Sequence, residues 1–217
     1  YKNCNKKLLK QQSNYDLLDS NYNIWLHANE KKYNNILILE DDFVFDNRIL
    51  DINVLNDLDN FINNNDFDIY SLGNIPIIST LFNIKHPKML SGGTTHSIIL
   101  TKNTRDILID NYKNNEDFLN DSRGHIDWIY TTNNFNYHIY YKPLCYQTFP
   151  KTENMEVWDQ DLNIILRIIN NFLTNILPLL KLDKEVQPGF DVIYCFMYIV
   201  NILPYLIVIY ILYRLIN

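Results

Sequence analysis

Between Asn35 and Phe45, four apolar residues (Ile36 to Leu39) run straight into three carboxylates, Glu40, Asp41 and Asp42, before apolar residues resume at Phe43. The branched run has the length of a strand buried on both faces, as in a parallel sheet. Upstream, residues 1–21 read as a polar, irregular lead-in, and Tyr22 to Lys32 predicts a helix with Ile24, Trp25 and Ala28 near one face. Downstream, Leu55, Leu58, Phe61 and Ile62 recur at helical spacing, and Phe67 to Leu72 predicts a short strand ending at Gly73. Pro76 and Pro87 bracket a predicted loop with an apolar centre. Leu90 to Leu100 predicts a glycine-rich turn feeding a strand, with Thr101 or Asn103 capping a helix that holds Ile107 and Leu108. His125 to Tyr130 reads as a helix start, and His138 to Lys142 as a last strand closed by Pro143. Strands alternating with helices predict an α/β layer architecture.

The tail follows another rule. From Val192 to Tyr213 no side chain is charged, and a spanning helix needs about 20 apolar residues. Tyr194, Phe196, Tyr198, Tyr210 and Tyr213 sit toward its two ends, as in an interfacial aromatic belt. Soluble core helices seldom run this long without a charge, so residues 189–217 predict a transmembrane segment and a single-pass, membrane-associated chain. Few residues follow the apolar stretch, and Lys181 and Lys184 precede it, as in a tail anchor with the domain on the cytoplasmic side; an ER or Golgi lumenal domain is the open alternative. Residues 159–188 form an apolar connecting segment. Its Leu162 to Leu180 part reads either as an interfacial amphipathic helix or as a helix covering the domain.

Composition narrows the function classes. A hydrophobic content of 47% is ample for a core, and a net charge of −6 with scattered Lys and Arg excludes a nucleic-acid surface. The bias toward Asn, Ile, Tyr and Lys has the character of an AT-rich genome. Cys4, Cys145 and Cys195 share no metal-ligand spacing and read as unpaired thiols.

The acidic triplet carries the candidate chemistry. In an extended backbone Glu40 and Asp42 point to one side and Asp41 to the other. Adjacent carboxylates repel unless a cation sits among them, and such oxygen ligands suit Mg²⁺ or Mn²⁺, which in turn bind phosphates. Open α/β sheets bind ligands at the carboxyl ends of their strands, where this triplet falls. Asp127, between a polar loop and a helix start, is the candidate general base, with a helix N-terminal carboxylate as its plain alternative. His96, His125 and His138 are candidate ligands or acceptor contacts that also fit structural roles. Gly92 and Gly93 fit either a close backbone approach or a turn with positive φ. Trp158 reads as a packing anchor or a sugar-stacking ring.

Leu39-Glu40-Asp41-Asp42 after a branched strand resembles the metal-binding element of GT-A glycosyltransferases, and more closely that of glycosyltransferase family 25, the lipooligosaccharide and collagen galactosyltransferase relatives. The resemblance covers roughly residues 22–158. It includes Asp68 to Gly73, Gly93 to Ser97, the Asp127 region and Lys142 to Gln147, and the composition is similar to that of giant-virus members. It implies a GT-A-like (Rossmann-like) mixed sheet flanked by helices, with a C-terminal hydrophobic helix. It implies a nucleotide-sugar donor, UDP-hexose in the first instance, Mn²⁺ or Mg²⁺, and a glycan or glycoprotein hydroxyl as acceptor. Glu40 and Asp42 would then hold the metal, Asp41, Gly73 and Asn74 the donor, and Gly93, His96 and Trp158 the acceptor. Residues Gln147 to Asn154 would form a segment closing over the donor. Only 39 residues precede Glu40, where family members build the base pocket, so the resemblance implies either an amino-terminally truncated domain or impaired nucleotide binding. Two rival expectations are a non-catalytic carbohydrate-binding or scaffold domain on a membrane, and a metal-dependent hydrolase using the same carboxylates.

Overall fold

The computed structural model describes residues 9, 13–80, 85–112, 114–121, 125–148, 171 and 175–216. In chain order these form α1 (Ser13–Glu30), β1 (Asn35–Leu39), β2 (Phe43–Phe45), a 3₁₀ turn (Asn47–Leu50), α2 (Ile52–Asn64), β3 (Ile69–Ser71), β4 (Ile75–Ser79) and β5 (Met89–Gly93). There follow β6 (Ser97–Thr101), α3 (Lys102–Asp110), α4 (Asn115–Leu119), α5 (Ile126–Thr132), β7 (Tyr137–Ile139), β8 (Cys145–Gln147) and α6 (Gly189–Ile216). The fold is mixed α/β, with a mixed sheet flanked by helices and an apolar carboxyl-terminal helix.

The central sheet has the order β1-β6-β3-β7. Strand β6 runs antiparallel to both β1 and β3, and β3 runs parallel to β7. Alternation along β6 sends Ile98 and Leu100 to one face and Ile99 to the other, and both faces are covered. On the first face Ile98 and Leu100 pack with Leu18, Tyr22 and Trp25 of α1, Leu108 of α3, Phe118 of α4 and Ile129 of α5. On the second, Ile99 and Tyr70 pack with Leu58 and Phe61 of α2. Two ribbons complete the domain, β2 paired with β8 and β4 paired with β5, both antiparallel.

Strand β1 departs from expectation. It is an edge strand paired antiparallel, not a strand buried in a parallel sheet, and Leu37 is 46% exposed. Ile36 and Ile38 pack on the α1 side, whereas α2 covers β3 and β6 and leaves the other face of β1 open. The turn that launches β1 is held by Arg105, which is wholly buried. Its Nε donates to Asn29 Oδ1 (3.1 Å), Nη1 to the carbonyls of Leu100 (3.0 Å) and Asn34 (3.4 Å), and Nη2 to the Tyr33 carbonyl.

Other differences have local causes. Residues 13–21, expected in an irregular lead-in, are helical, and α1 buries Leu18 beside polar Asn21, whose Oδ1 accepts from Tyr130 Oη at 3.2 Å. The predicted loop after Pro76 is β4, which tolerates the proline because it lies in a two-stranded ribbon with register shifts flanking Ile78. The strand at His138 is not the last, since β8 follows Pro143. Thr101, of the two residues proposed, caps α3 by accepting from Thr104 N. Most of Leu162 to Leu180 lies outside the described residues.

Among the described residues, one helix, α6, is long and apolar enough to cross a membrane. Its first part is fastened to the domain. Asn201, 2% exposed, accepts from the Ser79 backbone N–H (2.8 Å) and donates to Ser79 Oγ (2.7 Å). Tyr205 Oη donates to the Ser79 carbonyl (2.7 Å), and Tyr194 Oη to the Tyr141 carbonyl. From Leu206 to Ile216 every side chain is exposed.

Candidate functional site

The register of the sheet brings the carboxyl ends of β1, β3 and β7 and the amino end of β6 to one edge. Glu40 leaves β1 there, with its N–H donating to the His96 carbonyl at 3.0 Å, one step beyond the β1–β6 ladder. The chain then turns into β2, whose partner β8 places Gln147 opposite Phe43. Gln147 Nε2 consequently donates to both Glu40 Oε2 (3.2 Å) and Asp42 Oδ2 (3.0 Å), so the two carboxylates converge on one amide. Asp41 is exposed at the lip.

The third carboxylate arrives from α5. Asp127 sits in the first turn of that helix, and its Oδ1 is buried without a hydrogen-bond partner among the described residues. Thr95 stands between it and the triplet: its one hydroxyl proton is donated to Glu40 Oε1 (3.3 Å) or, alternatively, to Asp127, whose ionised form it then favours. Burial first, then the negative charges of Asp127 and Asp42, push the Glu40 carboxyl up to about 7. Burial likewise raises Asp127, opposed by Thr95 and by the nearby His125. Asp42 is raised by burial and by Asp41, with Gln147 pulling it back. Three carboxyls whose proton affinities rise together at one sheet edge can share a proton, accept one, or bind a cation. Among the described residues, no group of three or more His, Cys, Asp or Glu side chains is placed to hold a metal ion by itself.

The loop that carries Thr95 is strained. Thr94 has φ 70°, a left-handed conformation that is unfavourable for a β-branched residue. Its carbonyl accepts from Asn74 Nδ2 at 3.0 Å, so the residue just before β4 braces the loop. The positive φ expected near Gly92 and Gly93 falls on Thr94 instead, and a Cβ on Gly93 would meet nothing within 4 Å.

The remaining expected residues have different neighbours. Gly73 is a packing glycine, because a Cβ there would lie 1.9 Å from the Cys145 carbonyl oxygen and 2.5 Å from His96 Nε2. His96 is wholly buried, donates Nε2–H to the same carbonyl (3.2 Å), and is held neutral by burial that lowers it to about 4. Standing just before β6, it ties that strand to β8, and its Nδ1 is buried without a partner among the described residues. His138 Nδ1 bonds the His86 carbonyl (2.9 Å), away from the acidic edge. Cys145 is buried, and its thiol is pushed up to about 11 by that burial, which leaves it inert. Trp158 and the segment 149–154 lie outside the described residues. Sequence reasoning missed Thr94, Thr95 and the bridging role of Gln147. The chain matches no protein-family model and no curated relative.

Proposed function

We propose that this protein is a metal-dependent glycosyltransferase of GT-A type, moving a hexose from a nucleoside diphosphate to a glycan or protein hydroxyl. The observation that carries the reading is the convergence of Glu40, Asp42 and Asp127 at the carboxyl end of β1, with Glu40 and Asp42 meeting at one amide. Mg²⁺ and Mn²⁺ are held by one or two carboxylates, with phosphate and water completing the octahedron, so a two-carboxylate set fits without a third protein ligand. Asp42 Oδ1 is buried without a partner among the described residues, an acceptor left over for such an ion. The cation would supply charge neutralisation on the departing diphosphate.

The protein's own groups do the rest. Asp127 accepts the acceptor hydroxyl's proton at Oδ1, and its raised proton affinity brings it closer to the range useful for a base at neutral pH. Thr95 links that base to Glu40, and Asp41, exposed at the lip, would accept hydrogen bonds from the donor's ribose hydroxyls.

UDP-hexose turnover with added Mn²⁺ tests the assignment. Asp42→Asn removes charge at nearly constant shape and should lower turnover by about 10²–10³-fold, the loss typical of a deleted electrostatic stabiliser. Asp127→Asn should cost a similar factor while leaving Mn²⁺-dependent UDP binding, measured by calorimetry, intact. Full turnover by Asp42→Asn would overturn the reading.

A further inference from the structure

We infer that the cleft between α6 and the β4–β5 ribbon is a binding site for one hydrocarbon chain of an anionic membrane phospholipid, a site separate from the acidic edge and independent of the reading given to it. The cleft has a volume of about 570 Å³, within the roughly 300–1,000 Å³ range of small-molecule sites. Pro76, Pro87 and Ile139 form one wall, and Cys195, Tyr198 and Ile199 of α6 the other. The helix cannot close onto the ribbon or swing away, because it is pinned at both ends of the cleft. Tyr194 holds the Tyr141 carbonyl at one end, and Asn201 and Tyr205 hold Ser79 at the other.

Polarity along the cleft is directional. Lys142 and Asp191, the charged residues of its lining, belong to the Tyr194 end, whereas the other end leads to Leu206–Ile216, the exposed apolar part of α6. Asp191 already accepts a hydrogen bond from Gln187 Nε2 (3.2 Å), while Lys142 makes no ion pair among the described residues. From Asp191 to Asn201 a helix rises roughly 15 Å. A slot of this length, with the Lys142 ammonium outside any ion pair among the described residues at one end and opening along a helix apolar enough for a bilayer, matches a phosphate headgroup followed by an acyl chain. A soluble apolar ligand would not need the second feature, and a polar metabolite would not tolerate the walls.

Cys195 is exposed in the lining and reports occupancy directly. The full chain carrying Cys4→Ser, reconstituted in nanodiscs, is treated with a small neutral maleimide in phosphatidylcholine alone or with phosphatidic acid added. Phosphatidic acid should slow alkylation of Cys195 about tenfold, as a site filled at ten times its dissociation constant requires, and Lys142→Glu should restore the faster rate. A phosphatidic acid with a diazirine midway along one acyl chain should label the Cys195–Ile199 peptide, and Ile199→Trp should suppress that labelling with helix content unchanged by circular dichroism. Equal rates in the two lipid mixtures, or labelling unaffected by Ile199→Trp, would overturn the site. Asp42→Asn should leave every one of these readouts unchanged, so failure of the transferase assignment and failure of the lipid site are separable.

Discussion

Glu40 is the residue whose environment most directly reports what the acidic edge needs. Its carboxyl, pushed up to about 7 by burial and by Asp127 and Asp42, binds a proton more tightly folded than unfolded. Protonation therefore stabilises the fold below the unfolded value near 4.5, and that stabilisation is lost as pH rises through about 7. A rise of this size is worth at most about 3 kcal/mol. Urea unfolding in the presence of a chelator should show stability falling between pH 4.5 and 7. Glu40→Gln should flatten that slope and be the more stable protein at pH 8, and a parent slope matching that of Glu40→Gln would refute the placement of this carboxyl. Added Mn²⁺ should relieve the penalty in the parent at pH 8 and have little effect on the variant.

At the scale of elements, the crossing of β3 and β8 fixes the distance between the acidic edge and the ribbon that carries Gln147. Gly73 is what permits that crossing, since any Cβ there strikes the Cys145 backbone. Gly73→Ala should cost roughly 2–4 kcal/mol, the range of severe overpacking, read as a lower urea midpoint. An unchanged midpoint would mean that the two strands are not in contact. The same crossing explains what the sequence conceals. The acidic triplet, Asp127 and the α/β alternation are legible because each is local: a charge after an apolar run, a period, a cap at Thr101. Gln147 is not legible, because it reaches Asp42 through a pairing of β2 and β8 that spans about a hundred residues. Thr94 is hidden for another reason, since Gly92 and Gly93 beside it advertise the left-handed turn that the threonine adopts. The amino-terminal half of α1 is masked by Asn14, Asp19, Ser20 and Asn21, polar residues that lie along a helix packed against the core.

For the molecule as a whole, the apolar helix α6 and the α/β domain are one mechanical unit at the Ser79–Asn201 clasp. Asn201→Leu would suit a bilayer better but strands the buried Ser79 N–H, at a cost of about 1–3 kcal/mol. In nanodiscs, hydrogen exchange along β4 should accelerate in that variant while exchange along β6 stays slow. Unaltered exchange in β4 would show that the clasp is absent in a membrane. The frame beneath the acidic edge answers to a different chemistry. Arg105, which holds the turn before β1 through four acceptors, carries a guanidinium that stays cationic at any physiological pH. Acidification should therefore discharge the carboxyls at the tip of that strand without loosening its root, so the proposed cation would be released by acid and rebound on neutralisation while the scaffold keeps its register.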